Sequence, residues 1–243
     1  MMVHEQRLQN EIEHGKFLLQ HGAGEIWNWL TPAGKLRWQR RIKLLTTHIT
    51  SGMNVLEIGC GLGYLTKELA HTNANIFTLD ISLELLQAAK DEISSPQVHF
   101  LRTNAYQLPF QQKIFDSIVG SSVLHHLDID NALNEFYRVL KAGGTVYFTE
   151  PNMLNPQIML QKNIPYLKKK LGDSPDETAF FKWQLQRKFQ ECGFTSIKII
   201  PFDFLHPQIP EYLIPFFQPL CQIVEHLPVI SEIAGSLYIR AQR

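Results

Sequence analysis

Three groups of residues in this chain have types and spacings suited to chemistry. The first is the run Glu57-Ile58-Gly59-Cys60-Gly61-Leu62-Gly63. Glycines at alternate positions permit positive φ and let a ligand lie against bare backbone, and a helix beginning just beyond would offer unpaired N–H groups to a carboxylate. The second is Asp80, closing an apolar run about 20 residues later, where a carboxylate can accept hydrogen bonds from both hydroxyls of a ribose. Together they describe a ligand that carries a nucleoside. A dinucleotide loop would require a further glycine where Tyr64 stands, so the spacing argues against a pyrophosphate and against a nicotinamide oxidoreductase. The third group is His125, His126 and Glu150, each just past an apolar run; an imidazole titrating near neutrality suits a general base.

Each group also has a structural reading. Glu57 is either a buried structural carboxylate or a ligand contact, and Asp80 could cap a helix. His125 and His126 are exchangeable as base candidates, because adjacent side chains point different ways, and either could instead orient its loop. Glu150 is a further carboxylate on the same edge, with a structural role as its alternative. No histidine pair has the helical i, i+4 spacing with a glutamate that a zinc hydrolase uses, and neighbouring histidines rarely chelate one ion, so no metal is expected.

These residues need elements to hold them. Short β-branched or apolar runs read as strands over 54–58, 76–80, 98–102, 115–120, 145–150, 196–202 and 236–241. Between the first five, helical periodicity covers 64–71, 83–93 and 129–140, with Leu133, Phe136, Tyr137 and Leu140 on one face and Gly143-Gly144 placed to end that helix. A further helix is expected over 176–192, stopped by Gly193. The alternation predicts a doubly wound α/β fold with right-handed crossovers and the glycine loop at the carboxyl edge, where such sheets bind ligands. Residues 1–50 read as a helical cap, with Thr31-Pro32 opening a new helix, and 51–243 as the main domain, the whole forming one structural unit.

Two stretches, 151–175 and 204–233, exceed what a compact domain needs for connection. The second is rich in Leu, Ile and Phe but divided by prolines at 207, 210, 215, 219 and 228. It packs as extra core, or it forms an apolar lid for a lipophilic ligand with Trp27, Trp29 and Trp38 opposite.

Composition narrows the partners. The 243 residues include 23 basic and 23 acidic ones, so the charge balance argues against nucleic acid. Clusters at Arg37, Arg40, Arg41 and Lys43 and at Lys168-Lys169-Lys170 read first as solvated faces. Cys60, Cys192 and Cys221 form no disulfide pattern and no apolar run is long enough for a membrane helix, so a cytoplasmic protein is expected, with peripheral membrane contact left open.

The segments LEIGCGLGYLTKEL (56–69), TLDIS (78–82), NAYQLPF (104–110), FDSIVGSSVLHHL (115–127) and RVLKAGGTVYFTEPN (138–152) occur in the order found in class I S-adenosylmethionine-dependent methyltransferases, and the chain resembles the ubiquinone/menaquinone-biosynthesis type. The resemblance implies a Rossmann-like fold with a seven-stranded, mostly parallel sheet whose last strand is antiparallel. It implies S-adenosylmethionine as cofactor, S-adenosylhomocysteine as product, and a small-molecule methyl acceptor. By that likeness Glu57, Gly59, Cys60, Gly61, Gly63 and Ser121 lie along the cofactor, Asp80 holds its ribose, Ile81 packs on adenine, and Asn104-Ala105 meets the adenine edge. An aspartate is usual where Asn104 stands; an amide can both donate and accept there. The competing readings are methylation of protein or nucleic acid, and a cofactor-binding regulatory or scaffold protein without turnover. In place of the Asn/Asp-Pro-Pro-aromatic loop of amino-methylating relatives the chain has SSVLHHL, which disfavours nucleic acid.

Overall fold

The computed structural model describes residues 2–243. Three helices come first: α1 (Met2–His21), α2 (Ala23–Ile26) and α3 (Pro32–Thr46). Thr31 caps α3 by accepting the Gly34 N–H at 3.0 Å, with Pro32 in the first turn, as its sequence suggested. Then β1 (Asn54–Ile58), α4 (Tyr64–Ala70), β2 (Asn75–Asp80), α5 (Leu83–Glu92), β3 (Val98–Arg102), β4 (Phe115–Ser121), α6 (Ile129–Val139) and β5 (Leu140–Pro151) follow. The chain finishes with α7 (Pro156–Asn163), α8 (Pro165–Lys170), α9 (Lys182–Glu191), β6 (Thr195–Phe202), α10 (Ile214–Val224) and β7 (Ser236–Gln242).

The strands form one seven-stranded sheet in the order β3-β2-β1-β4-β5-β7-β6, with β7 antiparallel to both neighbours. The order reverses between β1 and β4, and that switch point opens a crevice at the carboxyl ends of the strands. One face is covered by α6 and α9, whose Leu133, Phe136, Leu185 and Phe189 join Ile118 and Phe148 in a core. On the other face Leu45 of α3 and Leu69 of α4 pack with Val55, Ile76 and Tyr147. Thus α3 belongs to the sandwich itself. No helix among the described residues is long and apolar enough to cross a membrane.

Three boundaries differ from the pattern-based reading. β5 begins at Leu140, directly after α6, and Gly143-Gly144 lie inside it, so they do not end the helix. Leu140 pairs with Phe115, and the register then shifts before Thr145 pairs with Ser117. α9 starts at Lys182, six residues later than the periodicity suggests, because Phe180 bridges to Asn152 and holds the preceding segment extended. The stretch 151–175 carries two short helices, α7 and α8.

Asn152 fastens the end of β5 to the segment preceding β7. Its fully buried amide donates to the carbonyls of Glu232 and Ala234, both at 2.8 Å, and its oxygen accepts the Leu154 N–H at 3.2 Å. Asn152→Ala leaves those groups unpaired and is expected to cost about 2–3 kcal/mol, read as a lower urea midpoint with an unchanged m-value.

Candidate functional site

The glycine loop occupies the switch point. Gly59, Gly61 and Gly63 have φ of +66°, +53° and +79°, a region that disfavours side chains, but their surroundings differ. A Cβ on Gly59 would meet Val123 Cγ2 at 2.5 Å, and one on Gly63 would meet Ile93 Cδ1 at 2.6 Å, so these two glycines serve packing. At Gly61 a Cβ would meet nothing within 4 Å. That is the position where a ligand can lie on the backbone.

Asp80 pins this loop. Its Oδ2 accepts the Gly61 N–H at 2.8 Å, and its Oδ1 accepts the Ser82 N–H at 2.9 Å. The helix-capping reading falls to Ser82, whose hydroxyl accepts the Leu85 N–H at the start of α5. Burial raises the Asp80 pKa against the opposing pull of these N–H groups. Each carboxylate oxygen keeps a second lone pair for a hydroxyl.

A cleft with an empty volume of about 830 Å³, open to solvent, runs over Gly59, Gly61, Asp80, Ile81, Asn104 and Ala105. Asn104 spends its oxygen on the N–H groups of Tyr106 and Gln107, both at 3.0 Å, which shapes the turn and leaves its NH₂ as the group for a ligand edge. The roof is α1, which contributes Arg7, Leu8, Glu11, His14, Gly15 and Leu18. Gly15 allows the close seating, since a Cβ there would meet Ser82 Cβ at 2.7 Å. The pattern-based reading does not anticipate this roof.

A smaller recess adjoins the loop, lined by Glu57, Cys60, Ser121 and Tyr64 with Trp27, Trp29 and Trp38. The three indoles sit together, with ring centroids 4.9 and 4.4 Å apart in sequence order, so they border the glycine loop. Glu57 is buried, and one of its oxygens accepts from Thr66 and Thr78, each at 2.7 Å. Burial pushes its pKa up to about 7 although both hydroxyls pull the other way. Ser121 shares a 3.0 Å hydrogen bond with Thr149, and burial holds the Cys60 thiol well above its ordinary pKa, as the neutral form.

Beyond the loop lies a larger, polar pocket between the two long insertions, lined among others by Trp27, Arg41, Ser122, Lys162, Glu177 and His206. His125 and His126 both border it, and His126 borders the first cleft as well. His125 is buried between two carboxylates: Nδ1 lies 2.6 Å from Glu150 Oε2 and Nε2 lies 3.3 Å from Glu177 Oε1. Burial works against its charge, yet Glu150 and Glu177 outweigh it and raise the pKa to about 9, so the ring is an imidazolium near neutrality. His126 differs. Its Nδ1 faces Glu11 Oε2 at 2.8 Å, off the line of a good hydrogen bond, and its ring lies 5.9 Å from that of His14. Burial keeps His14 toward its neutral form.

Glu150 is fully buried and accepts the N–H groups of Val123 and Leu124 at 2.9 and 2.8 Å. It therefore fixes the loop that carries both histidines. Glu11, His14, Lys162 and Glu177 complete the cluster, and pattern reading misses all four because the first two lie in the helical cap, Lys162 in the first insertion and Glu177 in a stretch that reads as helix. Asp173, Asp176 and Glu177, clustered where the overlong stretch meets the next expected helix, were the available signal. His125, His126 and Glu177 offer ligand atoms within 4.8 Å of one another, a spacing that could hold a metal ion. Lys162, ion-paired with both Glu177 and Asp173, and the charged His125 already supply cations there. Burial favours the neutral form of Glu177, but the fields of His126, His125 and Lys162 hold its pKa well below the ordinary value.

Comparison with known proteins agrees with this geometry. Residues 56–148 match the family model described as a methyltransferase domain. A demethylmenaquinone methyltransferase of Lactiplantibacillus plantarum is 27% identical over 201 residues, covering 73% of this chain and 85% of that protein. A ubiquinone/menaquinone biosynthesis C-methyltransferase of Vibrio cholerae is 30% identical over 134 residues, 52% of each chain; this chain thus spans about half of that relative. The fold is shared with a Thermotoga maritima structure titled as an S-adenosylmethionine-dependent methyltransferase, at TM-score 0.68 and 18% identity, covering 94% of this chain and 96% of the other.

Glu57 yields a pH signature. The unfolded carboxyl ionises near 4.5 and the folded one near 7, so between them the folded state holds the extra proton and stability falls as pH rises. The full loss is about 3 kcal/mol above neutrality. Glu57→Gln keeps the acceptor for Thr66 and Thr78 and is expected to flatten this fall, measured by urea denaturation at acidic and mildly alkaline pH.

Proposed function

We propose, from the premise that residues 56–148 are a class I S-adenosylmethionine-dependent methyltransferase domain, that this chain methylates a small acceptor held in the polar pocket between its two insertions. The observation that carries this reading is the position of His126, which borders the cofactor cleft on one side and the acceptor pocket on the other.

The cofactor fits the residues present. Gly61 offers open backbone, Asp80 offers carboxylate lone pairs to the ribose, Ile81 and the Asn104-Ala105 turn line the end suited to adenine, and the Glu57 recess suits the methionyl end. When bound, S-adenosylmethionine supplies an electrophilic methyl group on a sulfonium. What remains for the protein is alignment and management of one proton.

His126 is assigned the proton. Glu11 at Nδ1 orients the ring and favours the tautomer whose Nε2 keeps its lone pair, so the base is directed by a carboxylate. His125 is assigned a positioning role, because both its nitrogens face carboxylates and its proton is held firmly. Glu150 acts through it and through the loop backbone. Glu177 and Lys162 line the acceptor pocket and supply polar contacts for the acceptor's own groups. The quinone-type activity in the names of the relatives is consistent with a small acceptor bearing an ionisable hydroxyl or carbon acid.

Incubating a metabolite extract with the protein and a labelled methyl donor should yield a labelled small molecule by mass spectrometry. With that acceptor, His126→Gln is expected to lower kcat/KM by about 10²–10⁴-fold while changing S-adenosylhomocysteine affinity less than about threefold. Full turnover would remove His126 as the base. Gly61→Arg should abolish cofactor binding by calorimetry without lowering the unfolding midpoint below that of Gly61→Ala, and NAD should bind neither form.

A further inference from the structure

Among the described residues, 20 large apolar side chains are exposed, and 13 of them lie in the insertions 151–175 and 204–233, against a single one, Leu83, in the core 51–150. Three of the 13 lie on α10 and four in the segment just after it. The helix carries no charged residue, and its Ile214, Phe217 and Cys221 pack toward Ala33 and Leu205. On its other side Phe216, Leu220 and Ile223, at spacing i, i+4, i+7, are 69%, 45% and 60% exposed. A helix with no charge and only Gln218 and Gln222 as polar residues is normally enclosed, yet this one has an apolar side facing water. Just beyond it Val229 is 82% exposed with φ of +69°, an uncommon conformation for a β-branched residue, at the tip of its turn.

The first insertion adds charge. α8 ends in Lys168-Lys169-Lys170, the Lys170 ammonium lies 5.8 Å from the ring centre of Tyr166, and Tyr166 is 69% exposed. The two insertions meet: Asn155 donates to the Ile233 carbonyl at 2.9 Å, and both stretches border the acceptor pocket, through Gln157 and Leu171 on one side and His206 and Gln208 on the other. The two insertions that wall the pocket thus carry exposed apolar side chains and, in α8, three successive lysines.

We infer that this face docks on an anionic lipid surface, with the apolar side of α10 set into the headgroup boundary and the α8 lysines on acidic headgroups. The α8 lysines match acidic headgroups in charge, and an amphiphilic acceptor held by such a surface would enter the pocket polar end first, toward His126 and Glu177. Docking stands on the surface alone; the entry route rests on the methyltransferase reading.

Flotation of the full chain with vesicles separates the outcomes. The protein is expected to float with phosphatidylcholine vesicles containing phosphatidylglycerol, and about tenfold less with phosphatidylcholine alone. Phe216→Glu with Val229→Glu, both at highly exposed positions, should reduce flotation at least about tenfold while S-adenosylhomocysteine affinity is retained. Lys169→Glu with Lys170→Glu should remove the preference for the acidic lipid. Absence of flotation with either vesicle overturns the proposal, as does a concentration-dependent dimer that Phe216→Glu dissolves, which would make a second copy the occupant. Loss of cofactor binding in the wild type, with flotation intact, would instead overturn the methyltransferase reading and leave docking standing.

Discussion

Glu150 holds the site together. Its carboxylate is shielded from water and takes the N–H groups of Val123 and Leu124 on one oxygen and the His125 ring on the other. A buried carboxylate is costly unless so many donors converge on it, and here they come from the loop that must be shaped. Val123 in turn lies against the Cα of Gly59, so the conformation of the cofactor loop depends on the anchored loop beside it. Asp80 repeats the device one strand away, tying the same glycine loop to the start of α5. Two strand-end carboxylates thus convert a flexible glycine run into a fixed surface.

The positions of the central strands were legible because β1 and β4 are largely buried and read as continuous apolar runs, bounded by glycine or polar turns. The Asp80 and Gly61 positions were legible for the same reason: their geometry is local to one strand and the turn after it. What escaped the pattern depended on distant partners. The residues before α9 look helical by periodicity, but Phe180 bridges to Asn152, 28 positions earlier, and that pairing overrides propensity. The glycines after α6 looked like a helix stop, whereas Leu140 is drawn into the sheet by Phe115.

The acidic partners of the histidines escaped for a related reason. Glu11 and Glu177 lie in α1 and in the connection to α9, more than 50 residues from His125 and His126 in each direction. Two adjacent, identical side chains receive different carboxylates: Glu150 and Glu177 face His125, and Glu11 faces His126. Nothing in the dipeptide itself distinguishes them; the difference comes entirely from what folds over each ring.

The roof helix α1 is latched to the same segment that supplies Glu177. Ser174 donates to Glu11 at 2.7 Å, Asn10 donates to Asp176 at 2.7 Å, and Arg7 donates to the Asp176 carbonyl at 3.1 Å. Because α1 roofs the first cleft while Asp173 and Glu177 line the larger pocket, one set of contacts ties the two compartments together. A substitution that breaks these contacts would therefore act on both compartments at once, so a change at one cannot be read as local to it.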